Sequence, residues 1–221
     1  MAEDDAKYSE EMMNDDTPLR LTEHELIALL AMNKTPAANI TTDIFRLRHV
    51  AENALLEQAG ITTLLVRGLA DVAGDDIVPL EQGAILAAIF SHADEWLEIA
   101  LVTPGTDHVM FTAGSAAGGV LLNLSKHGVH EVQPLDPEPG MLGLGVKLAR
   151  HYLETGLEGY PAAAMVKHHR LSGLPLTAHL KVSQDGTWTL ATGDDGAAKT
   201  DVVDAADGIR RFEAALTFAD N

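Results

Sequence analysis

The sequence predicts an α+β protein, an antiparallel β-meander and a β-hairpin packed with helices in two related helix–strands–helix subdomains. Three observations predict it. Apolar residues recur at helical spacing through residues 23–90 and at a period of two from Glu95 onward. The strand-like runs are joined by short turn-forming connections, which suit antiparallel neighbours. The order helix, strands, helix then returns in shortened form after the breaker "ETGLEGYP". The expected divisions are a disordered acidic tail over 1–17, an N-terminal unit over 18–155 and a C-terminal unit over 156–221.

The first helix has a defined start. Thr22 and Glu25 make a capping box, with Leu21 and Leu26 at the staple positions. The helix "EHELIALLAMN" ends before Pro36. "KTPAANITTD" reads as a loop, and Thr42 or Asp43 caps a long helix from Ile44 that either breaks at Gly60 or tolerates it. Gly68 suits the position just past that helix. After an acidic turn, Pro79 opens the next helix, "LEQGAILAAIF". "EWLEIALV", "HVMFTA", "VLLNLS" and "HEVQPL" are four strands of a meander, and Gly140–Leu153 is a helix. In the second unit "AAAMVKHHRL" reads as helix. "LTAHLKVS" and "TWTLAT" flank an Asp185-Gly186 hairpin turn, and Asp204 caps the last helix.

Composition narrows the function. The 221 residues carry a net charge of −18, and residues beyond the first sixteen still hold 26 acids against 14 bases. Nucleic-acid binding needs a basic face that displaces counterions, and only Lys167-His168-His169-Arg170 concentrates base here. Helix, turn and helix over Val66–Phe90, followed by an antiparallel hairpin, share the grammar of a winged helix, but "LEQGAILAAIF" holds no base to read DNA with. Neither nucleic acid nor membrane is expected as a partner. With no basic leader and no apolar run of spanning length, the expected location is the cytoplasm. Cysteine is absent, which excludes disulfides and thiolate metal sites.

No catalytic constellation stands out. "GMLGLG" over Gly140–Gly145 has neither the spacing nor the strand–helix context of a phosphate loop and reads as close packing. "GSAAGG" lacks the nucleophile elbow. The histidines show no metal-ligand spacing. The expectation is a non-enzymatic protein-binding module with no cofactor. An acidic regulatory interaction domain, or an enzyme with a site near Gly140–Gly145 or the histidines, are the alternatives.

Strand alternation splits "HVMFTA" into two faces. Val109 and Phe111 are the more apolar set and belong in the core. Met110 and Thr112 then face outward, Ser115 lies at the hairpin tip, and Trp188 opens the return strand of the second hairpin, where it serves core or interface. Met110, Thr112, Ser115 and Trp188 are the candidate partner-binding residues.

The run "LTEHELIALLAM" through "ALLEQAGITTLLVRGLADVAGDDIVPLEQGAILAAIFSHADEWLEIALV" resembles the EspG family, cytosolic chaperones of type VII (ESX) secretion in actinobacteria. The resemblance lies in the capped first helix, "RGLAD", an acidic turn, a helix and a strand opening near "ADEWLEIAL". "SQDGTWTLATGDDG" is similar to the family's closing hairpin. It spans residues 20–218 in order of elements, and the second half is shorter than in the family. The resemblance implies two related subdomains around antiparallel sheet, no catalysis, and binding to the tip of a helical PE–PPE secretion substrate.

Overall fold

The computed structural model describes residues 18–125, 127–135, 140–156, 158–193 and 199–219. The expected acidic tail over 1–17 lies outside the described residues. A nine-stranded antiparallel sheet runs in the order β1-β7-β6-β5-β4-β8-β9-β10-β11. Its central strand is β4 (Glu95–Val102), and it carries the meander β5 (Asp107–Ser115), β6 (Gly118–Asn123) and β7 (Val129–Leu135) on one side. On the other side lie β8 (Ala162–Arg170), β9 (Leu176–Val182), β10 (Trp188–Thr192) and the edge strand β11 (Lys199–Val203). A short strand before the first helix, β1 (Leu19–Thr22), closes the opposite edge against β7. The sheet crosses the expected boundary near residue 156 without a break, because β4 pairs with β8 over eight residues.

The helices cover opposite faces of the two halves. Call the face of Trp96 and Phe111 the front. There α1 (Glu23–Ala31), α2 (Pro36–Ile44), α3 (Arg48–Ala51), α4 (Ala54–Val66) and α5 (Glu81–His92) enclose one core with Trp96, Phe111, Val120, Leu122 and Val132. On the back, α6 (Met141–Thr155) and α7 (Ala205–Leu216) enclose a second core with Leu97, Ile99, Val166, Leu180 and Leu190.

Several local expectations hold for stated reasons. Both halves of the Thr22–Glu25 capping box form, and Glu25 also takes an ion pair from Arg67 at 2.9 Å. Gly68 adopts φ +70, and Leu69 N–H reaches Leu64 O across it, the hydrogen bond that closes a left-handed helix end. Gly60 stays inside α4. A Cβ there would lie 2.0 Å from the His24 carbonyl oxygen, so the missing side chain lets α4 press on α1. Gly145 does the same for α6, where a Cβ would meet Leu97 Cδ1 at 2.7 Å.

Four expectations are corrected. "AAAMVKHHR" is strand β8, not helix, because alanine's helical preference yields to pairing on both sides with β4 and β9. Its period-two burial follows from that. The acidic turn after α4 is a hairpin, β2 (Ala70–Ala73) with β3 (Asp76–Pro79). "KTPAANITTD" is mostly helix α2, started by Thr35, whose hydroxyl accepts from Ala38 N–H, and by Pro36 in its first turn. The long helix expected from Ile44 is interrupted instead at Phe45–Leu47 and Glu52–Asn53.

Phe111 is fully buried, with its ring against Phe45 at 5.8 Å between centroids. Phe111→Ala is expected to cost about 3–5 kcal/mol through lost burial and a cavity. Chemical denaturation reads this as a lower midpoint at constant slope. An unchanged midpoint would take Phe111 out of the core.

Candidate protein-docking surface

Among the described residues, covering opposite faces leaves part of the front without a helix above it. On the front, beyond the helical layer, β8, β9 and β10 present Ala163, Met165, Lys167, His169, Thr177, His179, Lys181, Thr189 and Ala191 with no described helix above them. The cross-strand register sets them in rows. Ala100, Met165, His179 and Ala191 form one, and Val102, Ala163, Lys181 and Thr189 the next. On this face the small residues Ala100, Ala163 and Ala191 alternate with the larger Met165, His179 and Lys181.

Its chemistry concentrates where the helical layer ends. Glu98 points to the front from β4 and takes a hydrogen bond at 2.7 Å from His169 Nε2. Lys167 Nζ lies 3.7 Å and Arg46 Nη2 3.8 Å from the same carboxylate. Burial pushes the Glu98 carboxyl up, but the His169 hydrogen bond and the charges of His169, Lys167 and Arg46 outweigh it and hold it below the usual range. Arg46 reaches this point through unusual backbone. It has φ +60, and Leu47 N–H to Thr42 O with Arg46 N–H to Asp43 O complete a left-handed cap after α2. Glycine is the usual residue there, and an arginine costs roughly 1–2 kcal/mol of backbone strain. That conformation carries the guanidinium over the Phe111 ring, 5.5 Å from its centroid.

A second concavity lies at the other end of the sheet. A groove of about 450 Å³ opens between Ile85, Leu86 and Ile89 of α5 and the strands bearing Leu19, Val120 and Val132. Its lining holds no charged side chain, and Ile85 at its rim is 58% exposed.

The structure scatters the four candidate residues. Thr112 is fully buried and its hydroxyl accepts from Leu97 N–H, so it has no surface to offer. Met110 is half-buried against the rear core. The reading that turned both outward assumed a sheet covered on one face, whereas β5 has α5 before it and α6 behind it. Ser115 is half-buried in the β5–β6 turn, where its Oγ accepts from Ala117 N–H. Trp188 lies on β10, separated from β5 by β4, β8 and β9, and packs toward Gly208 of α7. The bare front face was missed because β8 was read as helix. The signal was present in "AAAMVKHHR", where Ala163, Met165, Lys167 and His169 alternate with buried positions.

Among the described residues, no group of three or more His, Asp or Glu is arranged to hold a metal ion, and no helix is long and apolar enough to cross a membrane. No protein-family model and no curated protein sequence matches the chain. Among solved structures, the fold is similar to that of the Mycobacterium tuberculosis type VII secretion system chaperone EspG5, seen in complex with the PE25–PPE41 dimer. The TM-score is 0.53 at 11% sequence identity, over 92% of this chain and 98% of that one.

Two measurements test the Arg46–Glu98 corner. Arg46→Gly removes backbone strain as it removes the cation–π contact, so the two effects offset and unfolding free energy is expected to change by less than about 1 kcal/mol. Arg46→Ala keeps the strain, loses the contact, and is expected to be the less stable variant by denaturant titration. Because folding lowers the Glu98 pKa, its contribution to stability is full above the ordinary value of 4.5 and is lost as pH falls through the folded value. The stability gap between the natural protein and Glu98→Gln is therefore expected to shrink below pH 4.5. A gap that stays constant to lower pH would remove Glu98 from the acid response.

Proposed function

We propose that this protein is a non-enzymatic adaptor or chaperone of type VII secretion, acting in the cytoplasm of an actinobacterium, and that it docks a helical secretion substrate of PE–PPE type. The bare front face of β8–β10 is the observation that carries the reading. Among the described residues no helix lies over the front of β8–β10, and a sheet face of that kind suits a partner's surface. The fold likeness to EspG5, which was seen with a PE–PPE dimer, supports the class of partner. The two halves of the sheet act as one platform in this reading, with the helical layer of the first half forming a wall beside the bed formed by the second.

Ala163 sits at one end of the bed, beside Lys181, and Ile85 at the rim of the distant groove, so they separate the two surfaces. Each PE–PPE-type dimer from the same genome is titrated against the natural protein, Ala163→Arg and Ile85→Arg, with circular dichroism to verify folding. At least one dimer is expected to bind, and Ala163→Arg is expected to weaken it about ten-fold or more, in the range of interface hot spots. Loss on Ile85→Arg alone would move the docking site to the groove. Failure of every dimer to bind would refute the client class.

A further inference from the structure

The apolar groove at the β1 edge of the sheet is built beside a length of this same chain. α5 lies over β5 and β6, and Leu19 of β1 and Val132 of β7, paired on the front face, stand beyond it. The trough between them holds about 450 Å³, roughly three times a cavity that admits a benzene ring. No charged side chain lines it, and among the described residues nothing occupies it. Pro18 and Leu19, where the described chain begins, are part of its wall. Residues 1–17 are therefore attached at the groove itself.

Those residues, "MAEDDAKYSEEMMNDDT", hold seven acids and one lysine, and their large apolar side chains are Met1, Tyr8, Met12 and Met13. Tyr8 and Met12 are four residues apart. That spacing sets two side chains on one side of the chain in a helix and in a strand alike, whereas Met13 falls on another side in both. Met12 precedes Pro18 by six residues, a reach of up to about 20 Å in extended chain. A tether of that length gives an effective concentration in the millimolar range, so a contact too weak to hold a separate molecule is populated within one chain. The tail and the rest of the chain are both acidic, so the contact has to be apolar, and the uncharged lining adds no local repulsion to it.

We propose that residues 8–12 of this chain occupy the groove, with Tyr8 and Met12 against Ile85, Ile89 and Val132 and the neighbouring acids left in solvent. A phenol ring and a flexible thioether suit an irregular apolar trough with a wet rim. The protein then carries its own cover for the front of the β1 edge, a surface separate from the front of β8–β10. The assignment does not rest on the client reading above.

Lys7 is the single base before Arg20, so trypsin cuts this segment at Lys7–Tyr8, the bond beside the docked ring. Cleavage there is followed by mass spectrometry on the full chain. Met12→Asp and Ile85→Arg are each expected to speed it at least about ten-fold, because the protease acts on the undocked form. Met13→Asp is expected to leave the rate unchanged. Circular dichroism verifies the fold of Ile85→Arg, and Met12→Asp alters no described residue. Added salt screens the repulsion between tail and domain, so the gap between the natural protein and Met12→Asp is expected to widen with salt.

The chain has no cysteine, which permits a second readout. Met12→Cys with Ile85→Cys is expected to form a disulfide within one chain under mild oxidation. Met12→Cys with Val129→Cys is not. Val129 is exposed on the back of β7, three residues or about 10 Å from Val132, and so lies within the same reach. Equal cleavage of the natural protein and Met12→Asp, or equal cross-linking of the two pairs, overturns the assignment. Protection that rises with protein concentration, or cross-links between chains, also overturns it, because the tail of a second copy then fills the groove. Neither measurement involves a client, so this inference and the docking reading fail separately.

Discussion

The structure depends on the pairing of β4 with both β5 and β8. Eight residues of β4 pair on each side, so its backbone hydrogen bonds are used along its whole length. Its side chains then have no edge to escape to and must point to the front or the back. Trp96 goes forward into one core, and Leu97, Ile99 and Leu101 go back into the other. A strand buried on both faces at its centre cannot be satisfied by one helical layer. The N-terminal helices supply the front cover and α6 with α7 the rear.

Trp96 ties the front cover to the sheet with polar as well as apolar contacts. Its Nε1–H donates to Thr41 Oγ1 at 3.0 Å in the core, and the Thr41 hydroxyl lies within hydrogen-bond reach of both the Ala37 and Phe90 carbonyls. One buried indole therefore fixes α2 and the end of α5 over β4. A buried aromatic with its N–H satisfied contributes burial without leaving a desolvated donor behind. On the neighbouring strand, opposite Leu97, His168 does a related job on the back. Its Nδ1 meets Leu216 O at 2.7 Å, joining β8 to the last turn of α7.

What could be read in the sequence depended on whether local pattern and tertiary position agreed. The four meander strands, the capping box at Thr22 and the last helix all carried a strong local signature, and the chain follows it. Residues 162–170 did not. Three alanines and a basic run favour helix locally, and only their position between β4 and β9 makes them strand. β1 and β11 are four- and five-residue edge strands with one neighbour each, too short for alternation to show. The placement of Phe111 was legible because an aromatic between small residues names its own face. Thr112 was not, because a threonine buried by a second helical layer looks in sequence like a threonine turned to solvent.

The bare face follows from the same two-layer arrangement. Among the described residues, five helices on the first half and two on the second enclose both cores, and none lies over the front of β8–β10. Had α6 and α7 packed on the front, that face would be sealed and the rear cores of β4 and β8 left open. The boundary between cover and bed is marked by Arg46, a residue held in a backbone conformation that glycine adopts at less cost. Neither the cap hydrogen bonds nor the helix it ends requires an arginine side chain, since backbone atoms alone make those bonds. What the side chain adds is a cation poised over Phe111 and beside Glu98, at the edge of the uncovered strands. Strain accepted at one residue there gives the platform a charged rim without placing an unpaired charge in either core.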